Sequence, residues 1–184
     1  MTPSWMAFTP DLTALERAIA LGPEAISDGL SNTLCQAEVK TFTPYFRNTA
    51  NPGPNVPPNA DYLALFAGGA QFKLGPGQND NAGHTEWCDS PVHESGFTTV
   101  FAPNPKVPYV HSDGITYDID YNSRYEGTSM TEPTYAAVTA RSYHLGMVHT
   151  LWMDGSVHTT TDSVDLSVWR ALGTRNGHEV LSSE

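Results

Sequence analysis

The sequence predicts an α+β protein: a mainly antiparallel β-sheet with long loops, an N-terminal helix and a short C-terminal helix. The first observation is the length of 184 residues, which suits one soluble domain, residues 1–184, with a buried core. The second is Asp154-Gly155 between two strand-like runs, the strongest short-range signal of a β-hairpin, because glycine adopts positive φ at little cost. The third is apolar residues at helical spacing in residues 9–21 and 163–172.

The two predicted helices have recognisable ends. The helix at residues 9–21 begins at a threonine or aspartate cap and ends at a glycine-proline pair. The helix at residues 163–172 is predicted to begin with Ser163 as its cap and to end at Gly173. The residues before the first helix form neither a signal peptide nor a membrane-spanning helix.

The formal net charge of -11 restricts the partners of the chain. Nucleic acids and anionic membranes both attract basic surfaces, and the chain carries few lysines or arginines. We therefore expect no nucleic-acid partner and no membrane contact by these residues. The two cysteines, Cys35 and Cys88, form no C-x-x-C metal motif. They could pair in an oxidising compartment, but we expect two free and mostly buried thiols.

The first half of the chain combines short strands with long loops. Residues 34–46 are predicted as a strand with Val39, Phe42 and Tyr45 facing inward. Residues 48–59 contain four prolines and are predicted as a loop, since proline cannot donate a hydrogen bond to a strand ladder. Further elements are predicted at residues 61–67, helical or extended, and at residues 96–101, a strand.

Asp28-Gly29 and Asn32 lie in a turn that is dense in side-chain oxygens. In such turns aspartate and asparagine commonly bond the local backbone. An oxygen-rich cation site is the alternative. We expect the capped turn.

His84 and Glu86 would point to the same face of an extended strand, because side chains alternate with a period of two. Such a pair could ligate a divalent metal, or Glu86 could select the tautomer of His84. A polar pair that merely holds the fold together explains the same pattern, and the sequence leaves both interpretations open.

Asp118, Asp120 and Asn122 alternate in the same way in the most acidic stretch of the chain. Oxygen ligands in this pattern suit a hard cation such as calcium. The stretch is not an EF-hand, because Ser123 stands where glycine is required and Ser129 where glutamate is required. An edge strand with exposed polar residues is the structural alternative, and we favour it.

Residues 141–158 are the segment around which the predicted fold is organised. Residues 134–141 are predicted as a buried strand leading into it, and the hairpin turns at Asp154-Gly155. His144, before the first hairpin strand, could ligate a metal or bond a backbone carbonyl at the hairpin base. We expect structural roles for His144 and Asp154, since turn chemistry already explains Asp154-Gly155.

His144, nine further residues and then Asp154-Gly155 resemble the H-X9-DG motif of a large family of planctomycete surface proteins. Blocks that resemble other family segments occur in the same order at residues 26–34, 83–87, 96–99 and 169–175. Family members begin with a type IV prepilin-like leader and a long apolar helix. This chain lacks those features and resembles the C-terminal part of such a protein, which implies an extracellular or cell-surface location for its parent family.

Two hypotheses of function follow. The resemblance favours a non-enzymatic, pseudopilin-like cell-surface domain with a structural calcium, whose partner would be a surface protein or a glycan. The alternative is a metal-dependent hydrolase of small ester, lactone or glycan substrates, with zinc or another divalent metal as the less expected cofactor. Its metal-site side chains would converge in one pocket around His84, Glu86, His144 and Asp154. The sequence contains no G-x-S-x-G, H-E-x-x-H, P-loop or G-x-G-x-x-G motif.

Overall fold

The computed structural model describes residues 22–67, 70–75, 83–85, 92–123 and 135–179. The strands in these residues are β1 Leu34–Ala37, β2 Tyr45–Arg47, β3 Gln71–Lys73, β4 Pro108–Val110, β5 Thr116–Asp118, β6 Asp120–Asn122, β7 Ala136–Ala137, β8 Met147–Trp152 and β9 Val157–Thr161. The α-helices are α1 Asp61–Ala64, α2 Val92–Ser95 and α3 Leu166–Leu172. Two 3₁₀ turns, Pro23–Ala25 and Leu30–Asn32, precede β1.

The described strands form three small sheets with the orders β1-β8-β9, β3-β2-β6-β7 and β4-β5. Among the pairs within these sheets, only β2 and β6 run parallel. The β-rich and mainly antiparallel structure agrees with the predicted class. The predicted N-terminal helix at residues 9–21 lies outside the described part of the chain.

The hairpin at Asp154-Gly155 is confirmed. Strands β8 and β9 pair antiparallel from Met147 opposite Thr161 to Leu151 opposite Val157. Gly155 has a φ of 87°, the left-handed conformation that makes glycine favourable in this turn. As predicted, His144 precedes the first hairpin strand.

The single strand predicted at residues 34–46 is wrong. The structure has two strands there, β1 and β2, and they belong to different sheets. Pro44 lies directly before β2 and has no N–H to continue a ladder, while its carbonyl accepts the Asp120 N–H at 2.8 Å. Tyr45 is buried as predicted, but Val39 and Phe42 are only partly buried. The strand predicted at residues 96–101 is reduced to an isolated parallel bridge between Thr98 and Thr139.

Two apolar clusters lie beneath these sheets. The larger one packs around Phe46, Leu63, Ile119 and Tyr121, each of which is fully buried. The smaller one joins the hairpin sheet to α3 through Val148 and the fully buried Trp169. The hairpin is thereby attached to the C-terminal helix by burial of a large aromatic side chain.

Helix α3 starts at a different cap from the one predicted. The Asp165 carboxylate accepts the N–H groups of Ser167 at 2.8 Å and Val168 at 3.1 Å, whereas Ser163 lies two residues too early. Gly173 ends the helix as predicted. Among the helices that the structure describes, none has the length and apolar character needed to cross a bilayer.

Candidate functional site

A buried arginine organises the acidic stretch. Arg141 is only 2% exposed, and its Nη1 lies 2.5 Å from Asp118 Oδ2 while its Nη2 lies 3.5 Å from Asp120 Oδ1. The guanidinium also donates to the carbonyls of Pro105 at 2.7 Å and Ile119 at 3.2 Å. Arg141 therefore supplies a positive charge at Asp118 and Asp120, where calcium was one of two interpretations of the sequence. The favoured interpretation, an edge strand with exposed polar residues, is wrong for β6, which is buried and lies between β2 and β7.

Asp120 also meets His84, a second predicted metal residue. The distance between His84 Nε2 and Asp120 Oδ2 is 3.9 Å, and both side chains are almost fully buried. Burial raises the pKa of Asp120, while Arg141 and His84 act in the opposite direction. His84 has a φ of 58° and its Nδ1 lies 3.1 Å from the Glu94 carbonyl, so the extended strand assumed for His84 and Glu86 is wrong at His84. Glu86 lies outside the described residues.

A second buried histidine lies next to this network and was missed by the sequence hypothesis. His93 Nε2 is 3.1 Å from Glu94 Oε1, and the His93 ring stacks on Tyr45 with centroids 4.5 Å apart. Burial lowers the pKa of His93 to about 4, against the opposing effect of Glu94. His93 is therefore neutral at pH 7. Together these contacts form a buried network around His84, Asp120 and Arg141.

His144 belongs to a separate cluster at the surface. One donor atom from each of Glu38, His144 and His149 lies within 4.8 Å of the others. His144 Nε2 and Glu38 Oε1 are 3.5 Å apart, and the two imidazole rings have centroids 5.0 Å apart. Two imidazoles and one carboxylate are a donor set that transition metals accept.

Strand pairing brings Glu38 to His149, although the two residues are 111 positions apart in sequence. Ala37 pairs with Thr150, which places Glu38 beside His149 at the end of the ladder. The Glu38 N–H donates to the His149 carbonyl at 3.0 Å, and the His149 N–H donates to Glu38 Oε2 at 2.8 Å. These bonds orient the carboxylate and leave Oε1 beside His144.

A short hydrogen-bonded loop holds His144 in place. The His144 N–H donates to Ser142 Oγ at 3.0 Å, and the same hydroxyl donates to the Met147 carbonyl at 2.6 Å. Asn104 accepts the Ser142 N–H at 2.8 Å and donates to the Met147 carbonyl at 3.2 Å. Gly146, the last residue of the loop before β8, has a φ of 73°, which glycine adopts readily.

Asp154 is not brought to His144. The two residues lie beyond opposite ends of β8, whose six residues span about 20 Å at the usual rise of a strand. Asp154 Oδ1 accepts the Ser156 N–H at 2.9 Å and the Ser156 hydroxyl at 2.6 Å. These bonds lower the pKa of Asp154 and account for the residue as part of the turn.

The Asp28 carboxylate bonds a distant segment, whereas the sequence predicted that it would bond the local backbone of its turn. Its carboxylate accepts the N–H groups of Gly177 at 2.8 Å and His178 at 3.0 Å, and the Thr174 hydroxyl at 3.2 Å. Burial would raise the pKa of Asp28, but these hydrogen bonds lower it. Asn32 bonds locally, since its Nδ2 donates to the Asp28 carbonyl at 3.0 Å. The turn around Asp28 thus fastens the segment that follows α3.

Cys35 is exposed on β1, so the expectation of a buried thiol is wrong at this position. It lies where the register of the edge strand β1 shifts between Leu34 and Gln36, and the neighbouring Gln36 is exposed as well. Cys88 lies outside the described residues, and the pairing of the two cysteines stays a prediction.

Glu38 and His149 are the residues of the surface cluster that the sequence hypothesis missed. His149 gave a weak signal, because it follows His144 in the same segment. Glu38 gave none, since only the pairing of β1 with β8 brings it there.

Residues 3–167 match the model of a family described as "Protein of unknown function (DUF1559)". No curated protein and no solved structure matches the chain.

Proposed function

The chain belongs to the DUF1559 family, and from this premise we propose that it is a non-enzymatic, pseudopilin-like domain that acts outside the cell or at the cell surface. The support for this location is the resemblance of His144 and Asp154-Gly155, with their nine-residue spacing, to the H-X9-DG motif. The net charge of -11 is compatible with a hydrated, exposed surface.

The observation that carries the non-enzymatic role is the separation of the candidate residues. His84 and Asp120 lie in the buried network, His144 lies in the surface cluster, and Asp154 lies at the hairpin tip. The folding of the chain accounts for Asp120, whose buried carboxylate lies beside Arg141, and for Asp154, whose carboxylate accepts the Ser156 hydroxyl. The hydrolase hypothesis predicted that these side chains would converge in one pocket, and they do not.

The location is tested on intact cells that naturally produce the protein. An antibody against the exposed hairpin tip is expected to label intact cells, and an added protease is expected to remove that signal while sparing an internal control protein. Labelling that appears only after permeabilisation would contradict the proposal. The assay does not depend on any metal or substrate.

One observation favours the alternative of a metal-dependent hydrolase. Glu38, His144 and His149 offer three donors, and the His144 side chain is 48% exposed, so a metal held there could also bind water. The test is a panel of chromogenic esters, lactones and glycosides with added zinc or cobalt. We expect the same background rate for the native chain and for His149→Ala. Metal-dependent turnover that disappears in His149→Ala would replace the non-enzymatic proposal by the hydrolase.

A further inference from the structure

We propose that Glu38, His144 and His149 form a binding site for a divalent transition metal of the zinc class. The inference is independent of the proposed surface location. It rests on the chemistry of the donors, on their spacing, and on the hydrogen bonds that hold them in position.

The donor set selects the class of metal. Imidazole nitrogen binds zinc, copper, nickel and cobalt well, whereas calcium takes six to eight oxygen ligands. Two of the three donors here are imidazoles. The site therefore differs in chemistry from the oxygen-rich calcium sites that the sequence suggested at Asp118 and Asp120.

The spacing is close to what such an ion requires. Bonds of about 2.0–2.1 Å to nitrogen and oxygen place two ligands of a tetrahedral zinc about 3.3 Å apart. His144 Nε2 and Glu38 Oε1 are 3.5 Å apart, and the donor atoms of the cluster all lie within 4.8 Å of one another. Small side-chain rotations are enough to bring the third donor to the same ion.

The backbone holds two of the donors before any ion binds. The His149 N–H fixes one Glu38 oxygen at 2.8 Å, which orients the other oxygen for coordination. Thr159 Oγ1 lies 3.4 Å from His149 Nδ1 on the neighbouring strand, beside the ring. Such partners around a ligand orient it and reduce the entropy lost on binding.

The third donor is held by its loop. Ser142 bonds both the His144 N–H and the Met147 carbonyl, and Asn104 bonds Ser142 and the same carbonyl. The loop therefore presents His144 towards Glu38 without a folding step at the moment of binding.

A bound ion would join two stretches of chain that are distant in sequence, one at Glu38 and one at residues 144–149. Glu38 follows β1, His144 lies in the loop before β8, and His149 lies within β8. Three protein donors leave a coordination position for water or for a donor from outside. Because the ion binds only the folded arrangement, occupancy is expected to stabilise the hairpin sheet against unfolding.

The experiment is titration of the metal-free full chain with zinc by calorimetry, together with titration with cobalt followed by its visible absorption. The variants are His144→Ala, His149→Ala and Glu38→Gln. The matched control is His158→Ala, which removes a histidine of the same hairpin whose Nε2 instead lies 2.8 Å from Ser156 Oγ. Circular dichroism of each variant verifies folding before the titrations.

We expect one zinc per chain, intense cobalt absorption typical of a low-coordinate site, and a higher unfolding temperature with zinc. Loss of either histidine is expected to weaken binding by more than about 100-fold, because removing a ligand exceeds the usual effect of removing its supporting residue. His158→Ala should bind as the native chain does. Absence of saturable binding, or equal binding by the native chain and the double variant His144→Ala/His149→Ala, would overturn the assignment. Neither result would bear on the cell-labelling test of surface location.

Discussion

Replacement of Arg141 by methionine would leave a buried carboxylate without its main partner. The Asp120 side chain is 3% exposed, so water cannot replace the guanidinium there, whereas the Asp118 side chain is 42% exposed and can be hydrated. The carbonyls of Pro105 and Ile119 would also lose their hydrogen bonds. The cost of the substitution should therefore arise chiefly at Asp120.

The expected loss is about 3–5 kcal/mol, the usual effect of removing one partner of a buried ion pair. In a chain of this size each kcal/mol lowers Tm by about 2–4 °C, which gives a decrease of about 6–20 °C. The assay is urea unfolding followed by tryptophan fluorescence, since the buried Trp169 becomes hydrated on unfolding.

The matched control is Arg175→Met, because Arg175 is exposed and donates to a single carbonyl, that of Ala25. It should lose less than about 1 kcal/mol. The double variant Asp120→Asn/Arg141→Met should be more stable than Arg141→Met, because the unpaired charge is gone. A loss below about 1 kcal/mol in Arg141→Met, or no recovery in the double variant, would refute the reasoning.

The effect of Arg141→Met should also depend on pH. Burial already raises the pKa of Asp120, and Arg141 is the largest influence that opposes the rise. A carboxyl whose folded pKa is raised stabilises the fold most fully below its unfolded pKa, and this contribution is lost as pH rises through the folded pKa. Removing Arg141 raises the folded pKa further, so the variant should recover part of its stability as pH falls from 8 towards the unfolded value.

Three further substitutions test other parts of the fold. Burial lowers the pKa of His93 to about 4. The neutral ring therefore contributes stability to the fold above the unfolded pKa of 6.5, and this contribution is lost as pH falls towards 4. His93→Gln should remove about 3 kcal/mol of this loss at acid pH, measured by urea unfolding at a series of pH values. Gly155→Ala should cost about 1 kcal/mol in the same assay, because the φ of 87° disfavours any side chain even where no atom lies within 4 Å. Asp165→Ala should cost about 1 kcal/mol through loss of the α3 cap, whereas Ser163→Ala should cost almost nothing.

Each of these expectations has a contradicting result. An unchanged dependence of stability on pH in His93→Gln would show that the pKa of this ring does not differ between the folded and unfolded states. A neutral Gly155→Ala would mean that the turn relaxes to another conformation. Equal losses in Asp165→Ala and Ser163→Ala would remove the distinction between the observed cap and the predicted one.

Features that depend on a few neighbouring residues could be predicted from the sequence. The hairpin follows from Asp154-Gly155, because the turn needs a residue that tolerates positive φ and an acceptor for nearby N–H groups. Helix α3 follows from apolar spacing and from Gly173 at its end. Its start was placed too early, because serine and aspartate both cap helices well and the structure uses Asp165 rather than Ser163.

Contacts between residues that are distant in sequence could not be predicted and were revealed only by the tertiary structure. The sequence by itself identified His144 as a candidate ligand but not Glu38, whose place depends on the pairing of β1 with β8. It identified Asp118 and Asp120 as candidate ligands for a cation, but not that the cation is the guanidinium of Arg141. Local preferences of backbone and side chain act over a few residues, whereas the partner of a strand or a buried charge is selected by the packing of the whole chain.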